Sequence, residues 1–206
     1  AEKIDWRARR GAATREQILD AAVRTLVKRG YSDLTTTTIA KTAGVSRGAM
    51  LHHFPAKDVL IREMVRYLFD RRMAAFEKMV ATVSRDGNRV AESLKTYWQQ
   101  VNHPYFIAFF ELTVAARTDK MLHAMLAPCQ DALDARGLEL AQALFPQVAR
   151  ERLTIGLALS QAVVEYLALQ HMRRAPNALD DRLIAHLSHH IRAFYGLDAH
   201  FNERRP

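Results

Sequence analysis

TTTTIAKTAGVSRGAMLHHF, residues 35–54, sets two short helical patterns on either side of a glycine turn. Thr35 or Thr36 supplies a hydroxyl able to cap the first, whose inner face is Ile39, Ala40 and Ala43. Gly44 permits the left-handed backbone that a tight turn needs, and Val45 fills the space between the two helices. Ser46 caps the second helix, which runs to about His53. Phe54-Pro55 stops it, because proline disfavours helical geometry in the residue before it. The pattern is a helix-turn-helix.

The second of these helices carries side chains suited to reading a DNA groove. Arg47 can donate two parallel hydrogen bonds to guanine O6 and N7, while Gly48 and Ala49 are small enough for close approach and a thymine methyl contact. Leu51 and His52 follow on the same short helix. Thr36, Thr37 and Ser46 have the reach of phosphate contacts, and Lys57 is a further phosphate candidate.

Working outward, apolar residues recur at three and four nearly everywhere, and period-2 runs of β-branched residues are missing, so the expectation is an all-α chain. A helix is expected from Thr14, along the stripe Ile18, Ala21, Ala22 and Leu26, to Gly30. A long helix follows over 56–84, broken by Asp86-Gly87-Asn88, then five more over 88–101, 104–117, 119–145, 147–174 and 177–195. With the two around the turn this makes nine. The tail after Gly196 reads as frayed.

Composition limits the classes of function. The 206 residues are 49% hydrophobic and 25% charged, an ordinary balance for a folded chain. The single cysteine, Cys129, can form no disulfide within the chain, and the charged start AEKIDWRARRGAATR lacks the apolar core of a secretory signal. No run of about 18 uncharged apolar residues suggests a membrane span, so a cytoplasmic location is expected. The net charge of +8 points to an acidic partner, and residues 1–60 alone hold eleven Lys/Arg against six acids. Arg7, Arg9 and Arg10 ahead of the first helix could follow a minor groove or backbone, or be a solvated terminus.

The order Gly30-Tyr31, Thr35-Thr36, Ile39-Ala40, Ala43-Gly44-Val45-Ser46, Gly48, His53-Phe54 and Lys57 resembles the DNA-binding domain of the tetracycline-repressor (TetR) family over about residues 12–60. That resemblance implies a nine-helix homodimer with a helix-turn-helix domain over 12–58, its reader helix at 46–52, and a ligand-binding and dimerisation domain over 59–196. It also implies phosphate contacts from Thr36, from Leu51 or His52, and from Lys57. The chain departs from the family at Leu51, where a tyrosine is usual. Leucine keeps the apolar contact but donates nothing to a phosphate, a bond that His52 could take over.

Two features of the remaining chain carry expectations. Segment 147–174 is apolar on two faces, so Leu159 and Tyr166, with Leu183, Leu187 and Ile191 of the last helix, are expected at a dimer interface. Aromatic and sulfur side chains gather in the middle helices. Phe69, Met73, Trp98, Phe106, Phe110 and Met125, with the carboxylate of Glu111, are the candidates for a pocket holding a small, mostly apolar effector. His186 and His190 have a spacing that can hold a metal, but without an acid or thiolate nearby in sequence no metal or other cofactor is expected.

No catalytic signature such as G-x-S-x-G, H-E-x-x-H, Cys-x-x-Cys or a phosphate-binding glycine loop is present, so no catalytic residue is assigned. The function expected is a sequence-specific regulator binding a palindromic operator, most simply a repressor released by its effector. An activator, or a ligand-independent architectural DNA-binding protein, is the alternative.

Overall fold

Helices begin and end where capping chemistry allows, and in this chain the caps are mostly explicit. The computed structural model describes residues 2–84 and 88–197, with side chains from Trp6 onward. Among them nine α-helices and no strands occur: α1 Glu2–Arg29, α2 Thr36–Ala43, α3 Arg47–His53, α4 Lys57–Thr82, α5 Arg89–Val101, α6 Pro104–Ala115, α7 Lys120–Leu144, α8 Arg150–His171 and α9 Ala178–Phe194. The all-α, nine-helix expectation holds. Asp86-Gly87, part of the expected break after α4, and the tail from residue 198 lie outside the described residues.

One boundary differs by a large margin. The helix expected from Thr14 starts at Glu2. Thr14 does not cap; its hydroxyl donates to the Arg10 carbonyl at 2.9 Å, so the threonine is absorbed inside the helix. The Ala and Arg residues before it are strong helix formers, and the Arg10 guanidinium sits 5.8 Å from the Trp6 ring centre one turn away. Pro128 lies inside α7 and leaves that helix short of one backbone donor.

The helices form two compact units, Ala1–Arg72 with Pro104–Gln130, and Met73–His103 with Asp131–Pro206. In the first, α1 packs against both α2 and α6. Its core is Ile18, Leu26, Leu34, Ile39, Met50, Phe54, Leu60, Met64, Leu68, Leu112 and Leu122, all at most 1% exposed. Full burial of such a side chain is worth roughly 1.5–3 kcal/mol, so this cluster dominates the unit's stability.

In the second unit α5, α8 and α9 pack against one another. Leu153, Val164 and Leu167 of α8 face inward, and Gly156 lets the buried Tyr195 ring lie against the helix backbone. A Cβ on Gly156 would stand 2.4 Å from that ring, so the close approach depends on glycine. The corner between α8 and α9 is tied by Asp180, whose side chain is 2% exposed. It accepts from Arg174 at 2.6 Å, from the Asn177 backbone N–H at 3.0 Å, and bonds His171 Nε2 at 2.9 Å. Those partners, the arginine first, hold its carboxyl well below the usual carboxylate range.

The other side of α8 is apolar as well, and α8 is the one helix among the described residues long and apolar enough to match a membrane span. Its outer stripe, Ile155, Leu159 and Tyr166, is 43–60% exposed, and Leu179, Leu183 and Phe194 of α9 are 37–53% exposed. Leu187 is partly exposed. Ile191, expected with them at an interface, is only 4% exposed within the single chain and belongs to the unit's own core.

Candidate nucleic-acid interface

Three local hydrogen-bond systems fix the helix-turn-helix. Thr35 is the cap of α2: its hydroxyl accepts from the Thr38 N–H at 3.1 Å. Gly44 adopts φ 67°, the left-handed conformation, and the N–H groups of Gly44 and Val45 donate to the carbonyls of Lys41 and Ala40. Ser46 accepts from the Ala49 N–H at 3.1 Å and starts α3, which Phe54 ends by donating to the Met50 carbonyl at 2.8 Å. A fourth bond comes from outside: the Gln17 side-chain amide of α1 donates to the Ala43 carbonyl at 2.7 Å, satisfying a group that the end of α2 leaves open.

With Met50 and, at its end, Phe54 buried, α3 has one anchored face and one open one. The open face presents Ser46, Arg47, Gly48, Leu51 and His52, with Ala49 half-buried at its edge. Thr37 and Lys57 are exposed on the flanking helices and Thr36 is half-buried. Leu51 is 40% exposed, a large apolar group left open on a polar surface. His52 is exposed beside it, whereas burial, helped by the neighbouring His52 and Arg15, lowers the proton affinity of His53. Of the two histidines it is His52 that is open to solvent. The surface therefore offers hydroxyl, guanidinium, imidazole and ammonium donors around two small residues.

Lys57 stands in a setting that sequence reading did not find. Its ammonium lies 5.6 Å from the centre of the Tyr31 ring, and the Tyr31 hydroxyl donates to Asp119 Oδ2 at 3.1 Å. Burial first, and Asp119 second, push the Tyr31 phenol up to about 12. Asp119 also caps α7 by accepting from the Leu122 N–H at 3.0 Å, the main reason its carboxyl is held low. Tyr31 and Asp119 are 88 positions apart, and nothing in helical periodicity links two such residues.

The residues expected around an effector fall in both units. Phe69, Phe106, Phe110, Glu111 and Met125 belong to the first, where Phe106 is buried and the others half-buried. The Arg72 guanidinium, unforeseen, lies 4.4 Å from the Phe109 ring centre and 5.5 Å from that of Phe106. Met73 and Trp98 belong to the second unit and are half-buried, Trp98 with its ring 4.8 Å from that of His171. A separate open groove of about 360 Å³ in the first unit is polar, lined by Glu16, Gln17, Asp20, Tyr67, Arg71 and Tyr105 with Ala13. None of the expected effector residues lines it.

Residues 18–64 match the family model described as bacterial regulatory proteins, tetR family. An HTH-type transcriptional repressor of Mycobacterium tuberculosis is 40% identical over 76 residues, 37% of each chain. The chain spans about half the length of the first curated relatives it matches. Among solved structures, a TetR-family transcriptional regulator from Rhodococcus superposes with a TM-score of 0.67 at 22% identity, covering 89% of this chain and 99% of that one. The multidrug binding protein EbrR, complexed with malachite green, superposes at 0.64 and 15% identity over 88% and 97% of the two chains. The class is therefore a helix-turn-helix protein on an all-helical scaffold. Residues 18–64 match the tetR family model of bacterial regulatory proteins, and the helical fold is the one that the solved TetR-family regulator from Rhodococcus adopts.

Proposed function

We propose that this chain is a cytoplasmic transcription regulator that binds a palindromic operator as a homodimer, represses from it, and is released by a small, mostly apolar effector. The observation that carries the reading is the open face of α3, where Arg47, Gly48 and Ala49 follow a serine-capped helix start on a helix anchored by the buried Met50. In this reading residues 12–58 are the DNA-binding domain, and 46–52 enter the major groove. Thr36, Thr37, Ser46, His52 and Lys57 hold the phosphates, while Leu51 makes an apolar contact to the sugar-phosphate edge.

Residues 59–196 supply pairing and sensing. The exposed stripe Leu159, Tyr166, Leu183 and Leu187 is too apolar to be left in water comfortably, and a two-fold four-helix contact would cover it. Effector binding rests on the half-buried Phe69, Phe110 and Met125 of the first unit and is in keeping with the ligand held by EbrR. The experiment that tests the core of the reading is selection of bound duplexes from a random pool, followed by electrophoretic titration at two salt concentrations. An inverted repeat bound far more tightly than random DNA, with affinity falling steeply as salt rises, is the expected outcome. Equal affinity for selected and random duplexes refutes it, and light scattering that finds only the 23.4 kDa monomer refutes the pairing.

A further inference from the structure

The outer side of α9 carries two imidazoles one turn apart, His186 and His190, both exposed. Their Nε2 atoms converge to 2.9 Å, with the ring planes crossed at 80° and centroids 4.4 Å apart. We propose that this pair chelates a divalent transition-metal ion of the nickel or copper class.

In a neutral pair at this distance one ring donates its N–H to the lone pair of the other. A metal ion takes the place of that shared proton once both Nε2 atoms present lone pairs, leaving each Nδ1–H free to donate to water. At an imidazole–metal bond of roughly 2.0–2.1 Å, nitrogens 2.9 Å apart subtend about 90° at the ion. That is the angle between neighbouring ligands in square-planar and octahedral shells. A tetrahedral ion would need the nitrogens spread to about 3.3 Å at the same bond length. The pair can reach such an angle without leaving its helix, and the order of nitrogen-site affinities puts copper(II) and nickel(II) ahead of the other first-row divalent ions up to copper.

No group of three or more His, Cys, Asp or Glu side chains able to hold a metal occurs among the described residues. The site is thus open, its other positions filled by water or by donors of a second chain. On the helix, His190 projects from the same side as Leu183, Leu187 and Phe194, so the ion would sit at the face assigned above to pairing. The chelate itself needs only α9 and does not depend on that assignment.

The test is isothermal titration of the full chain with nickel(II) chloride. Light scattering on metal-free protein reports pairing separately. His189 lies close by, its ring centroid 5.7 Å from that of His190, and serves as the internal control. Expected are about one ion per chain in wild type and in His189→Ala, and affinity roughly tenfold or more weaker in His186→Ala and in His190→Ala. All three positions are exposed and alanine favours helix, so circular dichroism should match wild type. Nickel bound by His186→Ala or by His190→Ala as tightly as by wild type overturns the proposal, and so does an equal loss in His189→Ala.

Discussion

Arg47 and Lys57 are both exposed cations within ten positions of each other, yet they are expected to fail in different ways. A guanidinium on a guanine edge discriminates between bases, so Arg47→Ala should cost about 1–3 kcal/mol on the selected operator and relax one base position. An ammonium on a phosphate carries no sequence information, so Lys57→Ala should weaken every duplex alike and flatten the salt dependence. Binding titrations on the operator and on single-base variants separate the two. Gly156 gives a second prediction at this scale. Alanine would gain helix propensity, but its Cβ would force the Tyr195 ring, buried and tilted against Phe145 at 5.6 Å, out of its seat. Gly156→Ala should cost about 1–3 kcal/mol net, a fall in Tm of several degrees at roughly 2–4 °C per kcal/mol. Combined with Tyr195→Ala it should cost less than the two singles added, because the clash is gone. Local chemistry of this kind was partly legible beforehand. Ser46 and Gly44 announce a cap and a turn by residue type alone, whereas the Tyr31–Asp119 bond depends on a meeting of distant segments that no spacing encodes.

At the scale of elements, boundaries set by strong stop signals were read closely. Phe54-Pro55 ends α3 at His53, and Asn177 opens α9 at Ala178 through a reciprocal capping box with Asp180. The start of α1 lies twelve residues before the Thr14 that sequence suggests, because threonine suits a cap and also tolerates a helix interior when its hydroxyl finds the carbonyl one turn back. The α8–α9 corner makes a testable case of electrostatics serving an element boundary. Asp180 is ionised and paired in the folded chain and ordinary in the unfolded one. Its contribution to stability is therefore whole above the ordinary carboxylate range, near pH 4, and is lost as the pH falls below that toward its lowered folded value. Asp180→Asn should melt lower than wild type at pH 7, and the gap between the two should narrow on acidification to pH 3. A gap that stays constant with pH would mean that the carboxylate's charge plays no part at this corner.

For the molecule as a whole, the proposed sensing is the prediction of widest reach. An effector can move a balanced equilibrium tenfold only through about 1.4 kcal/mol of difference in its affinity for the two states. Trp98, half-buried against His171, should report binding through its fluorescence. Phe110→Ala should weaken the effector and leave operator affinity unchanged, and Glu111→Gln should matter only for a cationic or hydrogen-bonding compound. Operator affinity unmoved across a broad screen of compounds, with constant Trp98 emission, would leave a regulator without a sensor. The helical class of the chain was plain in its sequence because periodicity is a local signal. The make-up of the two compact units was not, since α4 and α7 each contribute to both and only the folded chain reveals where they divide. A practical consequence follows from the single bond between Gln17 and the carbonyl of Ala43. The twenty residues that look like a portable cassette are not one. Moved onto a foreign scaffold, residues 35–54 would arrive with the last carbonyl of α2 exposed and unclaimed, so the smallest graft that keeps its reading geometry must bring α1 with it.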